Sequence, residues 1–165
     1  MRRRAIACAV ALLMALLAFW YWPTDRRRII AAGRELAEAV SIPATEPDLA
    51  RVTRAAVMSR LLAPDVRLIG PTGRVAIDGR QPALGLATQM RPPRGLSVSI
   101  DNLDPSFAED GRTATSRATV TLREPGPEGG PDSVDAREVE MTWIKGDAWQ
   151  LSLVTILDGD DGYEP

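Results

Sequence analysis

From Leu96 to Leu157 the sequence keeps a period of two. Leu96, Val98 and Ile100 alternate with Ser97, Ser99 and Asp101, and Ala114, Ser116, Ala118, Val120 and Leu122 alternate with Thr115, Arg117, Thr119, Thr121 and Arg123. Val139, Met141 and Trp143 continue the pattern, Lys145-Gly146-Asp147 turns the chain, and Trp149, Leu151 and Leu153 bring it back. Side chains of a strand point alternately to its two faces, so this spacing predicts four long antiparallel strands with one face packed and one wet. Asp101-Asn102-Leu103-Asp104-Pro105 interrupts the first of them and reads as a solvated kink or bulge. Pro125 to Asp132 is too rich in Pro and Gly for either element and reads as a loop.

The first half of the domain has helical spacing instead. Ile29, Ile30, Gly33, Leu36, Ala37 and Val40 recur at three and four residues and predict a helix over Arg26 to Ser41. A second is predicted over Glu46 to Ala63, with Leu49, Val52, Ala56 and Leu61 on its buried face and Pro64 as its stop. Asp65 to Gly70 and Arg74 to Ile77 read as a hairpin around Pro71-Thr72-Gly73, and Gln81 to Met90 as a third helix ended by Pro92-Pro93, with Asp78 a turn or capping carboxylate before it.

Ahead of the domain, Ala5 to Trp22 is a run of 18 uncharged residues. As a helix it reaches about 27 Å, close to the hydrocarbon thickness of about 30 Å. Trp20, Tyr21 and Trp22 sit at one end, where aromatic rings prefer the headgroup level, with Arg26 to Arg28 behind them. The bulky Phe19 to Pro23 stretch stands where a signal-peptidase site needs small residues, so the segment reads as an uncleaved signal anchor. The expected layout is an anchor over residues 1–25, one domain over 26–157 and an acidic tail over 158–165, in the bacterial inner membrane with the domain on the periplasmic side.

Composition narrows the chemistry. The chain has no histidine, and its one cysteine, Cys8, lies in the apolar run, so His-assisted hydrolysis, a domain disulfide and a thiolate metal site are all excluded. Residues 29–165 carry 14 basic and 21 acidic side chains, a net of −7 that argues against a nucleic-acid partner. No phosphate-binding glycine motif occurs, and no metal or cofactor is expected. Arg67, Arg117 and Arg123 form a polar stripe for which Glu138 and Glu140 are the expected cross-strand partners.

Helix, helix, hairpin, helix and four long strands, with L-L-A-P-D-V-R-L-I-G-P at Leu61 to Pro71, I-D-G-R at Ile77 to Arg80 and W-I-K-G-D-A-W-Q-L-S-L-V at Trp143 to Val154, resembles the nuclear transport factor 2-like superfamily. That superfamily includes the SnoaL-like polyketide cyclases and the ketosteroid isomerases. The resemblance spans about Arg28 to Leu157. It implies an α+β fold: a cone-shaped, strongly curved, mostly antiparallel sheet around a cavity, packed with three helices from the N-terminal half and here preceded by a transmembrane helix.

The resemblance does not bring an active site with it. Where the isomerase branch has its aspartate base, before the motif's proline, this chain has Gly70, and its only tyrosines, Tyr21 and Tyr163, lie outside the domain. The expectation is therefore a membrane-anchored, non-catalytic module that binds a small apolar ligand or a protein, with a homodimer through the sheet face. Leu68, Met90, Met141, Trp143 and Trp149 are the candidate cavity lining, although both tryptophans have the size and setting of core residues. Asp101 and Asp104 are the best remaining candidates for an acid/base role in the alternative reading, a cyclase- or isomerase-like enzyme. A scaffold subunit of an envelope assembly is the third reading.

Overall fold

Ile29, Ala32, Gly33, Leu36 and Ala37 make the buried stripe of helix α1 (Asp25–Val40). At Gly33 a Cβ would stand 2.7 Å from Leu103 Cδ2, so the missing side chain makes room for the Leu103 side chain against the helix. The computed structural model describes residues 24–127 and 130–157. The apolar run 5–22 and the acidic tail 158–165 lie outside them, and among the described residues no helix is long and apolar enough to cross a membrane.

Of the face expected to be buried on helix α2 (Asp48–Leu61), only Leu61 is buried. Arg54, Met58 and Leu61 face inward, while Leu49 and Val52 are 78% and 66% exposed and Ala56 is exposed as well. The two stripes have the same helical period. The inward one is chosen because Glu46 neutralises Arg54: its carboxylate accepts from Arg54 Nε at 2.9 Å and Nη2 at 3.1 Å, and Nη2 also donates to the Ala87 carbonyl at 3.2 Å. The ion pair thus ties α2 to the next helix and to the loop before it.

Pro64 does not stop α2, because strand β1 (Leu62–Ile69) has already begun two residues earlier. It falls in the register break between Leu62 and Arg67, where its missing N–H costs no ladder bond. Strand β2 (Val75–Asp78) pairs antiparallel with β1 as the expected hairpin. Helix α3 (Arg80–Gln89) follows, with Gly79 at its N-cap in the left-handed half of conformational space (φ 95°); Asp78 ends β2 and makes no capping bond.

Strands β3 (Ser97–Phe107), β4 (Thr113–Glu124), β5 (Ser133–Lys145) and β6 (Trp149–Ile156) form the predicted antiparallel meander. β1 then joins β6 in parallel, giving one six-stranded sheet in the order β2-β1-β6-β5-β4-β3. The bulge expected in β3 is present between Asp101 and Asp104, with Asn102 at φ 59°. A second lies between Thr142 and Trp143 opposite β6, and such bulges bend the strand and increase its local twist. The helices cover one face, and Ile29, Ala114, Met141, Trp143 and Leu151 form the heart of the core between the layers.

Candidate ligand cavity

The packing between sheet and helices is incomplete at one end. A cavity of about 300 Å³ opens beyond Leu36 and Val40 of α1. Met58 of α2, Ala83, Leu86 and Ala87 of α3, and Met90 just past the end of α3 form its roof, and the inner faces of five strands form its floor. Leu36, Met58, Leu62, Val66 and Leu151 are buried at its deep end, whereas Leu86, 51% exposed, with half-buried Leu68, Met90, Val98 and Leu122, lies toward solvent. Alternation supplies the floor: Val98 stands opposite Leu122 and Leu68 opposite Val154, each pair on one face.

The wall is almost wholly hydrocarbon. Arg67 is the only charged residue in it, and its register opposite Asp78 and Leu153 turns its side chain to the other face of the sheet. Larger hollows exist elsewhere. A groove of about 630 Å³ between α1 and α2, edged by Glu35, Glu38 and Leu49, is an open surface feature without the cavity's enclosure.

The candidate residues part company here. Leu68 and Met90 line the cavity. Met141, Trp143 and Trp149 share its face of the sheet but are enclosed in the core, and the Trp143 indole N–H donates to Ser116 Oγ at 3.0 Å. Neither Asp101 nor Asp104 is part of the wall. Asp101 stands opposite Thr119, on the face away from Ile100 and Val120, and accepts from Ser99 Oγ at 2.9 Å. Asp104 is exposed and pairs with Arg26 at 2.8 Å. Gly70 ends β1 at the hairpin, its N–H donating to the Arg74 carbonyl at 2.8 Å.

Of the arginine stripe, Arg117 faces Glu140 in register at 3.8 Å, Arg123 approaches Asp132 at 3.9 Å, and Glu138 stands opposite Thr119. Among the described residues, two carboxylates are held below the ordinary range. Lys145 Nζ donates to Asp25 at 2.7 Å and lowers its pKa; the nearby Trp149 indole N–H acts in the same direction, although it falls short of ordinary bond geometry. Asp110 is lowered chiefly by the backbone N–H groups of Arg112 and Thr113, which it caps in the β3–β4 turn. Neither is part of the cavity wall. Among the described residues no cluster of carboxylates is placed to hold a metal ion.

Sequence reasoning missed the helical part of the wall, Leu36, Val40 and Met58, because helical spacing does not distinguish a residue packed against protein from one facing a void. It also missed the Arg54–Glu46 pair, whose spacing across a loop carries no periodic signal.

No protein-family model matches the sequence, and no curated protein matches it significantly. Solved structures match it in three dimensions. A protein of unknown function from Mycobacterium tuberculosis superposes with a TM-score of 0.61 at 17% identity, over 78% of this chain and 68% of the other. A dehydratase candidate of the nuclear transport factor 2-like family from Streptomyces avermitilis gives 0.59 at 16% identity, over 81% and 95%. The association domain of CaMKII from C. elegans gives 0.59 at 13% identity, over 78% and 92%. At these identities the likeness is one of architecture, and the six-stranded, mostly antiparallel sheet with three helices is consistent with it: the chain has the nuclear transport factor 2-like fold.

Proposed function

We propose that this chain is a membrane-anchored, non-catalytic binding module whose apolar cavity receives a small apolar ligand. The observation that carries the reading is the wall: a recessed, partly open hydrocarbon surface with no carboxylate, hydroxyl or amide side chain. A proton-transfer enzyme needs a base within hydrogen-bond reach of its substrate. Asp101 and Asp104, the carboxylates considered for that role, are both engaged outside the cavity. The apolar run Ala5 to Trp22 supports a single-pass anchor in the bacterial inner membrane, with the domain on the periplasmic side.

Assembly is the second reading, favoured by the likeness to an association domain and by the breadth of the uncovered sheet face. That face carries Thr115, Thr119 and Thr142 around the Arg117–Glu140 pair. A face this polar gains little from burial compared with the cavity, so ligand binding takes precedence over a sheet-face homodimer or an envelope scaffold.

Thermal unfolding of the full chain against a panel of small apolar compounds tests the proposal, with sedimentation measured in parallel. Saturable stabilisation is expected. An unresponsive panel together with a stable oligomer favours assembly, and an unresponsive monomer leaves neither reading standing.

A further inference from the structure

We infer that the ligand of this cavity is a hydrocarbon, or the hydrocarbon part of a molecule, of about a dozen carbon atoms, and that the cavity discriminates against ligands that must bury a hydroxyl or carbonyl in it. The inference rests on the binding reading and specifies its chemistry.

Size comes first. Filled at the packing density of protein interiors, about 0.74, a cavity of about 300 Å³ takes about 220 Å³ of ligand, the volume of about a dozen carbons. A compact one- or two-ring skeleton fits, whereas a four-ring skeleton does not. Met58 on α2 and Met90 just past the end of α3 both belong to the wall, and their unbranched thioethers adapt to such skeletons without presenting a strong hydrogen-bonding group.

Polarity decides the class. Ordinary ligand pockets combine apolar walls with a few placed polar groups that fix orientation. Here that second component is missing. The buried side-chain atoms without a partner among the described residues are Arg51 Nε, Arg54 Nη1, Arg80 Nε and Trp149 Nε1, and none belongs to a residue of the wall. Main-chain groups nearby are committed as well: the Ala87 carbonyl accepts from Arg54, and the Val66 carbonyl accepts from the Gly79 N–H at 2.7 Å. A ligand hydroxyl placed inside would leave its water partners and meet no replacement, which is unfavourable. A hydrocarbon gives up nothing.

The test uses the full chain in lipid nanodiscs with 13C-methyl-labelled methionine, titrated with naphthalene and with 2,6-dihydroxynaphthalene. Dissociation constants are referred to the free aqueous concentration of each probe. The diol carries a hydroxyl at each end, so it cannot keep both at the mouth. Saturable shifts of the Met58 and Met90 methyls are expected with naphthalene, with the diol weaker by at least about tenfold. Val120→Thr adds a hydroxyl to the wall at nearly constant shape and is expected to narrow that gap; Val154→Thr serves as a second such variant should the first fail to fold. A diol that binds as tightly as naphthalene, or a gap unchanged in a folded threonine variant, overturns the chemical class while the binding reading survives. Absence of a saturable shift from either probe overturns both.

Discussion

Trp143 and Ser116 form a buried cross-strand pair in which the indole N–H donates to the hydroxyl at 3.0 Å, with both side chains closed off from solvent. They are not direct register partners; Ser116 stands opposite Met141 and Trp143 opposite Ala114. The bond is therefore a diagonal brace between β4 and β5. Removing the acceptor leaves a buried donor without a partner, so Ser116→Ala is expected to destabilise the fold by about 1–3 kcal/mol in denaturant melts. Ser116→Ala combined with Trp143→Phe no longer has an orphaned donor, and the two changes are expected to cost less than the sum of their separate effects.

The side chains of Arg54 and Glu46 are 7% and 6% exposed, and each is the main charge partner of the other. Breaking such a pair from one side is far worse than replacing it. Glu46→Ala is expected to cost about 3–5 kcal/mol, whereas Glu46→Leu with Arg54→Met recovers much of the loss. A double-mutant cycle by urea unfolding measures both.

The same arginine is expected to govern the mobility of α3. Ala87 is the one buried residue of that helix, and among the described residues Arg54 makes the one side-chain hydrogen bond to it from α2. Its amides are expected to exchange faster than those of α1 in native-state hydrogen exchange, and faster still in Arg54→Met. Equal protection in α1 and α3 would count against a loosely held cavity roof.

Much of this architecture was legible in the sequence. Period-two spacing identified β3 to β6, and Asp101 to Pro105 marked the bulge in β3. Local signals failed where two readings had equal periodicity or where a distant partner decided. Leu49, Val52 and Ala56 are as good a helical stripe as Arg54, Met58 and Leu61, and only the burial of Arg54 against Glu46 and Ala87 selects the second. Pro64 reads as a helix stop unless the break in the β1–β6 register is known. The cavity was the least legible part. Leu68 lines it and Trp143 fills the neighbouring core, although both are inward residues of one sheet.

Acid titration separates the role of Asp25 from that of the cavity. Lys145 holds the Asp25 carboxyl below its ordinary range in the folded chain. A group whose folded pKa is depressed adds stability above its unfolded pKa, about 3.9 for an aspartate, and loses it as pH falls through the folded value. The stability difference between wild type and Asp25→Asn is therefore expected to be constant from neutrality to about pH 4 and to shrink below that. Urea midpoints across that range provide the check, and a difference that grows on acidification would contradict this assignment.

The central claim is an accessible, dry, apolar cavity beneath α3, and xenon tests it most directly because it binds such spaces without needing a hydrogen bond. Methionine-methyl spectra of the full chain under increasing xenon pressure are predicted to show saturable shifts at Met58 and Met90, which line the cavity, and little change at Met141, which is enclosed in the core. Spectra in which Met58 and Met90 remain unmoved would mean that sheet and helices close on one another in solution, contradicting the binding account.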